Sequence, residues 1–333
     1  MAIEIYLAVK ARALKLKLLP AEAYEAMLRA PTFKECTELL SKYGYVIRDP
    51  SLEGVECAAL EHMLSLVDKM VIGVDGPPGE LLRAYSFGRV ELELVRDALR
   101  SLAGGARYRP PRCSALATLK VGPRLLSTFK DLWSAVATLV ELGYRTLGRA
   151  FEYYEEVGSV AVLEMGAEAD YYARCWRLAD SLLMSREVKR MVMLDSASRW
   201  LYWLAVLKFE GIGGEILSTL SKCMMPELPR HVVAYGVERP LEELSSVARA
   251  VHRELGEAFT RGFERGFLVL EAELLRALRL NATRILRLRP IDLSYALACV
   301  LALYFEAKNV YRVLSAKIAG IPEETVREAL QLL

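Results

Sequence analysis

The sequence predicts an all-α protein made of three homologous helical domains. Three observations carry this. Apolar residues recur at steps of three or four along nearly the whole chain, sustained strand alternation is almost absent, and one helix-and-stop pattern returns after 109 and again after 107 residues.

The last copy is the clearest. Leu303, Ala307, Val310, Leu314 and Ile318 form one apolar stripe on a helix. Gly320 ends that helix, because glycine takes up the left-handed conformation of a C-terminal cap without a Cβ clash. Pro322 restarts it, and Glu323 with Glu324 places negative charge at the positive end of the new helix dipole. Moved back 109 positions, the stripe becomes Leu194, Ser198, Leu201, Ala205 and Phe209, Lys317 becomes Lys208, and Gly320-Ile321 becomes Gly211-Ile212. A further 107 positions give Phe87, Glu91, Leu94, Ala98 and Leu102, with Gly104 in place of Gly320 and Arg96 in place of Arg312. This copy is fainter, since Glu91 falls on the stripe.

A period near 108 exceeds the roughly 20 to 50 residues of a solenoid repeat and has the size of a small domain. Loop chemistry marks the joints. Arg109-Pro110-Pro111-Arg112 closes the first copy and Pro226-Glu227-Leu228-Pro229 opens the third, which sets the domains at 1–110, 111–222 and 223–333.

Composition limits the partners. Of 333 residues 53% are hydrophobic, which implies much apolar helix surface buried against other helices. Lys and Arg total 44 against 42 Asp and Glu, so a net charge of +2 sets up no long-range field for nucleic acid or an anionic membrane. Any basic binding face must be local. The six cysteines show no C-x-x-C pair and no neighbouring histidine, and read as small buried hydrophobes in a reducing compartment, with no zinc site and no disulfide framework. Glu4, Lys10, Arg12, Lys15 and Lys17 interrupt the N-terminal apolar residues as a signal peptide's core would not tolerate. The most membrane-like run, Leu293 to Phe305, is about 13 residues against the roughly 20 a bilayer needs. A soluble, cytoplasmic chain without a transmembrane segment of its own is expected.

No catalytic, cofactor or metal site is expected. His62, His231 and His252 are not paired at the i, i+4 spacing of a helical metal site. Gly211 to Glu215 resembles a phosphate loop in composition, but no strand precedes it and no Walker lysine follows, so it reads as a helix stop and restart. Gly73 to Glu80 reads as a turn-rich connection. Acid pairs such as Glu155-Glu156, or Glu91 and Glu93, fit a solvated helix face as well as an acid–base pair. Trp133, Trp176, Trp200, Trp203, Tyr153-Tyr154 and Tyr171-Tyr172 are expected in the core, not in a stack of bases.

One segment stands out. Arg276, Arg279, Arg284, Arg287 and Arg289 lie between Leu274 and Ile291 with no acid among them, while Leu274, Leu278, Ile285 and Leu286 keep an apolar stripe. Two readings fit: a basic face toward carboxylates of a partner subunit or lipid headgroups, or an ordinary solvated face. Lys10, Arg12, Lys15 and Lys17 form a second, weaker candidate of the same kind.

Both ends of the chain carry a family resemblance. Tyr6, Ala11-Arg12 with basic residues following, Leu18-Leu19, the short helix Ala21 to Leu28 and the run Leu39 to Tyr43 are similar to the opening of one family. Asn309-Val310-Tyr311-Arg312, Lys317, Gly320 and Ile321-Pro322-Glu323-Glu324 are similar to its ending, and Leu163-Glu164 with Asp170-Tyr171-Tyr172 to the entry of its middle copy. The chain thereby resembles the C subunit of archaeal A-type ATP synthases and bacterial V-type ATPases, related to the d subunit of eukaryotic V-ATPases. It departs from three identical copies at Trp200 and Trp203, which stand where the last copy has Asn309 and Arg312, and at Glu93 in the first. The resemblance implies a funnel of three helical domains about a pseudo-threefold axis, non-catalytic, at the cytoplasmic face of the membrane. Its implied partners are the central-axle subunits and the membrane proteolipid ring, with no small-molecule substrate and no nucleic acid. The alternatives are a helical scaffold binding protein or nucleic acid, and a helical hydrolase with metal-binding carboxylates.

Overall fold

Side-chain caps and glycine stops cut this chain into helices at the places where its apolar stripes break. A computed structural model describes residues 2–182, 186–288 and 291–330. The chain opens with α1 (Ala2–Lys15), α2 (Ala21–Arg29), α3 (Phe33–Ser41), α4 (Leu52–Val71) and α5 (Pro77–Ala103). There follow α6 (Pro123–Leu126), α7 (Leu132–Glu141), α8 (Arg145–Val157), α9 (Val160–Asp180) and α10 (Arg186–Phe209). Then come α11 (Gly214–Met224), α12 (Arg230–Glu238), α13 (Leu244–Val251), α14 (Arg253–Phe263), α15 (Phe267–Leu288), α16 (Leu293–Ala319) and α17 (Glu323–Ala329). Among the described residues there is no strand, so the fold is all-α as the periodicity predicts.

Caps explain many of the starts. Thr32, Ser51, Asp131 and Asp292 accept the free amides of Glu35, Gly54, Ser134 and Ser294 at the first turns of α3, α4, α7 and α16. His252 does the same for α14 through its ring nitrogen, which gives that histidine a structural task. Gly320 (φ +68°) and Gly211 (φ +75°) end α16 and α10 in the left-handed region, as the repeat predicts. In the first copy the left-handed residue is Gly105 and not Gly104, because α5 runs on to Ala103. Pro322 is the residue before α17 and not its first helical residue. The stretch Gly73 to Glu80 is only half a connection, since its two prolines already open α5.

Helix positions repeat as the stripes do. Moved back by 109 positions, α14, α15 and α16 fall on 144–154, 158–179 and 184–210, where α8, α9 and α10 lie. Moved back by 107, α9 and α10 fall on 53–73 and 79–102, where α4 and α5 lie. The stripes are core: Leu303, Ala307, Val310 and Leu314 are buried on α16, Leu194, Ser198, Leu201 and Ala205 on α10, and Leu94 and Ala98 on α5. The last stripe residues of α16 and α10, Ile318 and Phe209, are exposed.

The chain divides into two compact units. One comprises the chain up to Phe87, Pro111–Leu119 and the chain from Arg279 onward. In it α16 packs against α1, α4, α3 and α17, and α1 packs against α4. The apolar run at Leu293 belongs to a 27-residue helix, long and apolar enough by itself to cross a bilayer, but 89% of its most apolar window is buried inside the protein. That is the signature of a core helix.

The other unit comprises Gly88–Pro110 and Lys120–Leu278. Here α9 packs against α8, α10 and α11. Trp200 on α10 is fully buried and donates its indole N–H to Ser221 Oγ at 2.8 Å. Gly236 on α12 approaches it so closely that a Cβ would lie 2.7 Å from the ring. Trp203, Tyr171 and Tyr172 are also buried, whereas Trp176, Tyr153 and Tyr154 are half-buried. Trp133 departs from the core expectation: it is 69% exposed, on the outer side of a short helix whose buried face is Ala135, Val136 and Leu139.

Within each unit, a long helix holds segments far from it in the chain by the same devices. In the first unit Glu306 of α16 accepts the Leu19 N–H at 2.6 Å and the Tyr45 O–H at 2.7 Å, and Lys317 donates to the Leu28 and Ala30 carbonyls at the end of α2. In the second unit Glu91 of α5 accepts the Val121 N–H at 3.2 Å and the Tyr144 O–H at 3.1 Å. There too Lys208 of α10 donates to the Val237 carbonyl at the end of α12, at 2.6 Å. Glu91, which looks out of place on an apolar stripe, is an acceptor for residues 30 and 53 positions further on.

The second unit also buries a charge network. Arg199 of α10 makes a two-pronged bond to Glu168 of α9, at 3.0 and 2.8 Å, and pairs with Glu271. Arg96 of α5 bridges Glu164 and Glu168, each at 2.8 Å. Arg89 pairs with the fully buried Asp195, which also accepts the Tyr172 O–H. Burial opposes ionisation of Glu168, yet Arg199 and Arg96 beside it hold its carboxyl below the usual range. Breaking such a pair from one side leaves an uncompensated buried charge. Arg199→Ala is therefore expected to lower the unfolding free energy by about 3–5 kcal/mol in a urea titration. Arg253→Ala, which removes an exposed i, i+4 pair with Glu257, is expected to leave the urea midpoint where it is.

Candidate docking face

The basic residues singled out in the sequence fall into different settings. Arg276 belongs to the second unit and is spent inside it, pairing at 3.0 Å with Glu273, which lies just upstream of the acid-free segment and also pairs with Arg261. The other described candidates lie in the first unit, on α1, in the turn after it, and on α15. Arg289 lies outside the described residues.

On α1, Leu7, Ala8, Ala11 and Leu14 face the core. The opposite side exposes Ile3, Ile5, Tyr6 and Val9 with Arg12, and the turn after the helix exposes Leu16, 86% exposed, and Lys17. Lys10 is half-buried, reaching the Lys69 carbonyl at the end of α4 at 3.2 Å while lying over the Tyr6 ring. On the last turns of α15, Ile285 and Leu286 are buried, Arg284 and Arg287 are exposed, and Leu280, Leu288 and Ile291 are exposed beside them. A groove of about 390 Å³ follows Arg279, Leu280, Thr283, Arg284, Arg287 and Leu288.

These two elements meet. Lys15 of α1 donates to the Leu286 carbonyl of α15 at 3.4 Å. Lys15 and Arg287 then flank a cavity of about 270 Å³ whose wall includes Tyr24, Thr283, Glu306 and Asn309. The two basic runs, nearly 270 residues apart in the chain, are thus parts of one surface. Its exposed leucines and isoleucines set it apart from a purely solvated charged face: exposed apolar side chains rimmed by cations are the composition of a binding surface. Charge spacing along the sequence located both runs, but their meeting around a cavity that α16 also lines could not be read from it.

The cavity is also where the first unit keeps an unpaired acid. Glu306 is buried, and desolvation pushes its carboxyl up to about 7, with the Leu19 N–H and the Tyr45 O–H partly offsetting that rise. Both neighbouring phenols are raised as well: Tyr24 and Tyr45 are buried beside the same carboxylate. Among the described residues, no group of three or more His, Cys, Asp and Glu side chains is placed to hold a metal ion.

A family model described as "ATP synthase (C/AC39) subunit" matches residues 7–329, nearly the whole chain. No curated protein matches it.

Glu306 ties this site to pH. Its carboxyl holds a proton more tightly in the folded protein than in the unfolded chain, where its ordinary value is 4.5. The stabilisation is complete below that value and is lost as pH rises through about 7. Across this window the group's contribution falls by roughly 3 kcal/mol. Glu306→Gln keeps the shape of the protonated acid and is expected to abolish this fall. In urea titrations the variant should match the wild type near pH 4.5 and exceed it by roughly 3 kcal/mol near pH 8. A gap that stays constant with pH would rule out titration of this carboxyl.

Proposed function

The chain belongs to the ATP synthase (C/AC39) subunit family, and we propose that it is the adaptor joining the central axle of an A/V-type rotary motor to its membrane proteolipid ring. Members of this family are non-catalytic stalk subunits, so the chain is a structural, peripheral part of a membrane-associated rotary ATPase, serving ion transport coupled to ATP. In the finer reading, three repeats near 1–110, 111–222 and 223–333 close into a funnel about a pseudo-threefold axis. The funnel sits at the cytoplasmic face of the membrane, turns with axle and ring, and carries torque between them.

The observation that carries this reading is the order of the joints. The long helix of the first repeat, α5, holds the second repeat through Glu91, and α10 of the second holds the third through Lys208. The long helix of the last repeat, α16, reaches back to the first through Glu306 and Lys317. Joints of like chemistry between successive repeats, together with the recurring helix positions, support this reading.

Such a part has to be stiff, because its task is to pass on a twist without yielding. Close-packed helix interiors transmit strain, and paired buried charges resist sliding of one helix along another. It also needs surfaces that hold large partners reversibly. The basic and apolar face of α1 and α15 suits acidic and polar loops on the ring, because arginine forks bind carboxylates while the exposed aliphatic groups pack.

Co-purification tests the assignment directly: the full chain is expected to be retained by the detergent-solubilised ring together with the axle subunits. Loss of retention for the wild-type chain would overturn the reading as a whole. Arg284→Glu with Arg287→Glu is expected to weaken retention on the ring about tenfold at low salt through like-charge repulsion. The same pair should leave the unfolding midpoint nearly unchanged, both side chains being exposed. Undiminished retention of the double variant at low salt would mean that this face is merely solvated.

A further inference from the structure

Two thiols far apart in the sequence are the middle contact of a three-point seam in the first unit. Glu53, Cys57 and Glu61 lie on one face of α4, each a helical turn from the next. The segment Arg112, Cys113 and Ser114 runs along that face in register. Arg112 donates its N–H to Glu53 Oε1 at 2.6 Å, and Ser114 donates its O–H to Glu61 Oε1 at 2.7 Å. Between them Cys113 Sγ lies 3.8 Å from both the Cys57 carbonyl oxygen and Glu61 Oε1, which sets the Cys57 and Cys113 side chains next to each other. Cys57 is half-buried and Cys113 buried.

The seam makes the two sulfurs unequal. The interaction between the two thiols pushes the Cys113 thiol down, against burial and the Glu61 carboxylate, and the Cys57 thiol up. The amides of Ala115 and Leu116, at the start of the short 3₁₀ turn Ser114–Thr118, add to the stabilisation of a Cys113 thiolate. A more accessible thiol beside a lower-pKa partner is the arrangement of a reversible dithiol. Of the other buried thiols, Cys36 and Cys299 donate to the Met27 and Ala11 carbonyls, and Cys175 is fully buried on α9.

We propose that Cys57 and Cys113 form a reversible thiol–disulfide site, oxidised by low-molecular-weight disulfides, that staples the Pro110-Pro111 connection to α4. The reaction proceeds by two exchanges. The Cys113 thiolate takes the Cys57 proton, and the more accessible Cys57 sulfur attacks one sulfur of a small disulfide RSSR; the Cys57–SR bond forms, the RS–SR bond breaks, and RS⁻ leaves. The Cys113 sulfur then attacks Cys57 Sγ, the protein disulfide forms, and the second RS⁻ leaves with the Cys113 proton. Two protein thiols lose two electrons in all, and one small disulfide becomes two small thiols. The bond closes a loop across 56 positions of sequence, long enough to restrict the unfolded chain markedly.

Incubating the full-length chain with oxidised glutathione tests this. Thiols titrated after unfolding should fall from six to four, and a non-reducing peptide map should show one cross-linked pair containing Cys57 and Cys113. The unfolding midpoint should rise by several degrees and return on adding a thiol reductant. Cys113→Ser should instead accumulate a glutathione adduct on Cys57, and the midpoint of Cys57→Ser should not respond to oxidant. Cross-links through other cysteines, a lasting glutathione adduct on wild-type Cys57, or six unreacted thiols at pH 8 would each overturn the proposal.

Discussion

A charge removed from water must be met by its opposite or neutralised, and that requirement decides which helices lie together here. In the second unit it is met by pairing. Arg89 and Arg96 on α5, Glu164 and Glu168 on α9, and Asp195 and Arg199 on α10 interlock across three helices, so no one of them can shift along its axis without exposing a partner. In the first unit it is met by protonation: Glu306 is bonded to an amide and a phenol, with no cation bonded to it among the described residues, and its carboxyl rises toward neutrality. The same helical repeat thus uses two electrostatic solutions.

Local rules carried the reading of the sequence a long way. Stripes, glycine stops and caps act within one or two turns, and α5, α10 and α16 lie where they predict. What the sequence concealed acts at long range. Arg96 reads as a surface charge until Glu164, 68 residues on, is seen to bind it. Arg276 belongs to an acid-free run only because that run was taken to begin one residue after its partner, Glu273. Cys57 and Cys113 match no spacing motif, because their proximity comes from a connection laid along α4. Glu91 looked like a blemish on a stripe, and the acceptor role of a buried acid shows only once Tyr144 and Val121 are placed.

The candidate face was legible in its charge and not in its greasiness. Lys15 and Arg287 stood out as members of basic runs, whereas Leu16 and Leu288 are ordinary letters in a helix until both prove to be exposed. Combining cations with aliphatic groups gives a surface that can grip firmly by apolar contact and still be steered by charge, which suits a part held between larger partners.

The return of α16 to the beginning of the chain also has a consequence for biosynthesis. The inner side of α1 and the end of α2 are completed by residues more than 280 positions downstream, including Glu306 and Lys317. During synthesis α1 therefore has α4 to pack against, while the rest of its inner side waits for α16, made more than 280 residues later. Contacts of such wide separation form slowly, and chaperones have their longest opportunity at the very first helices.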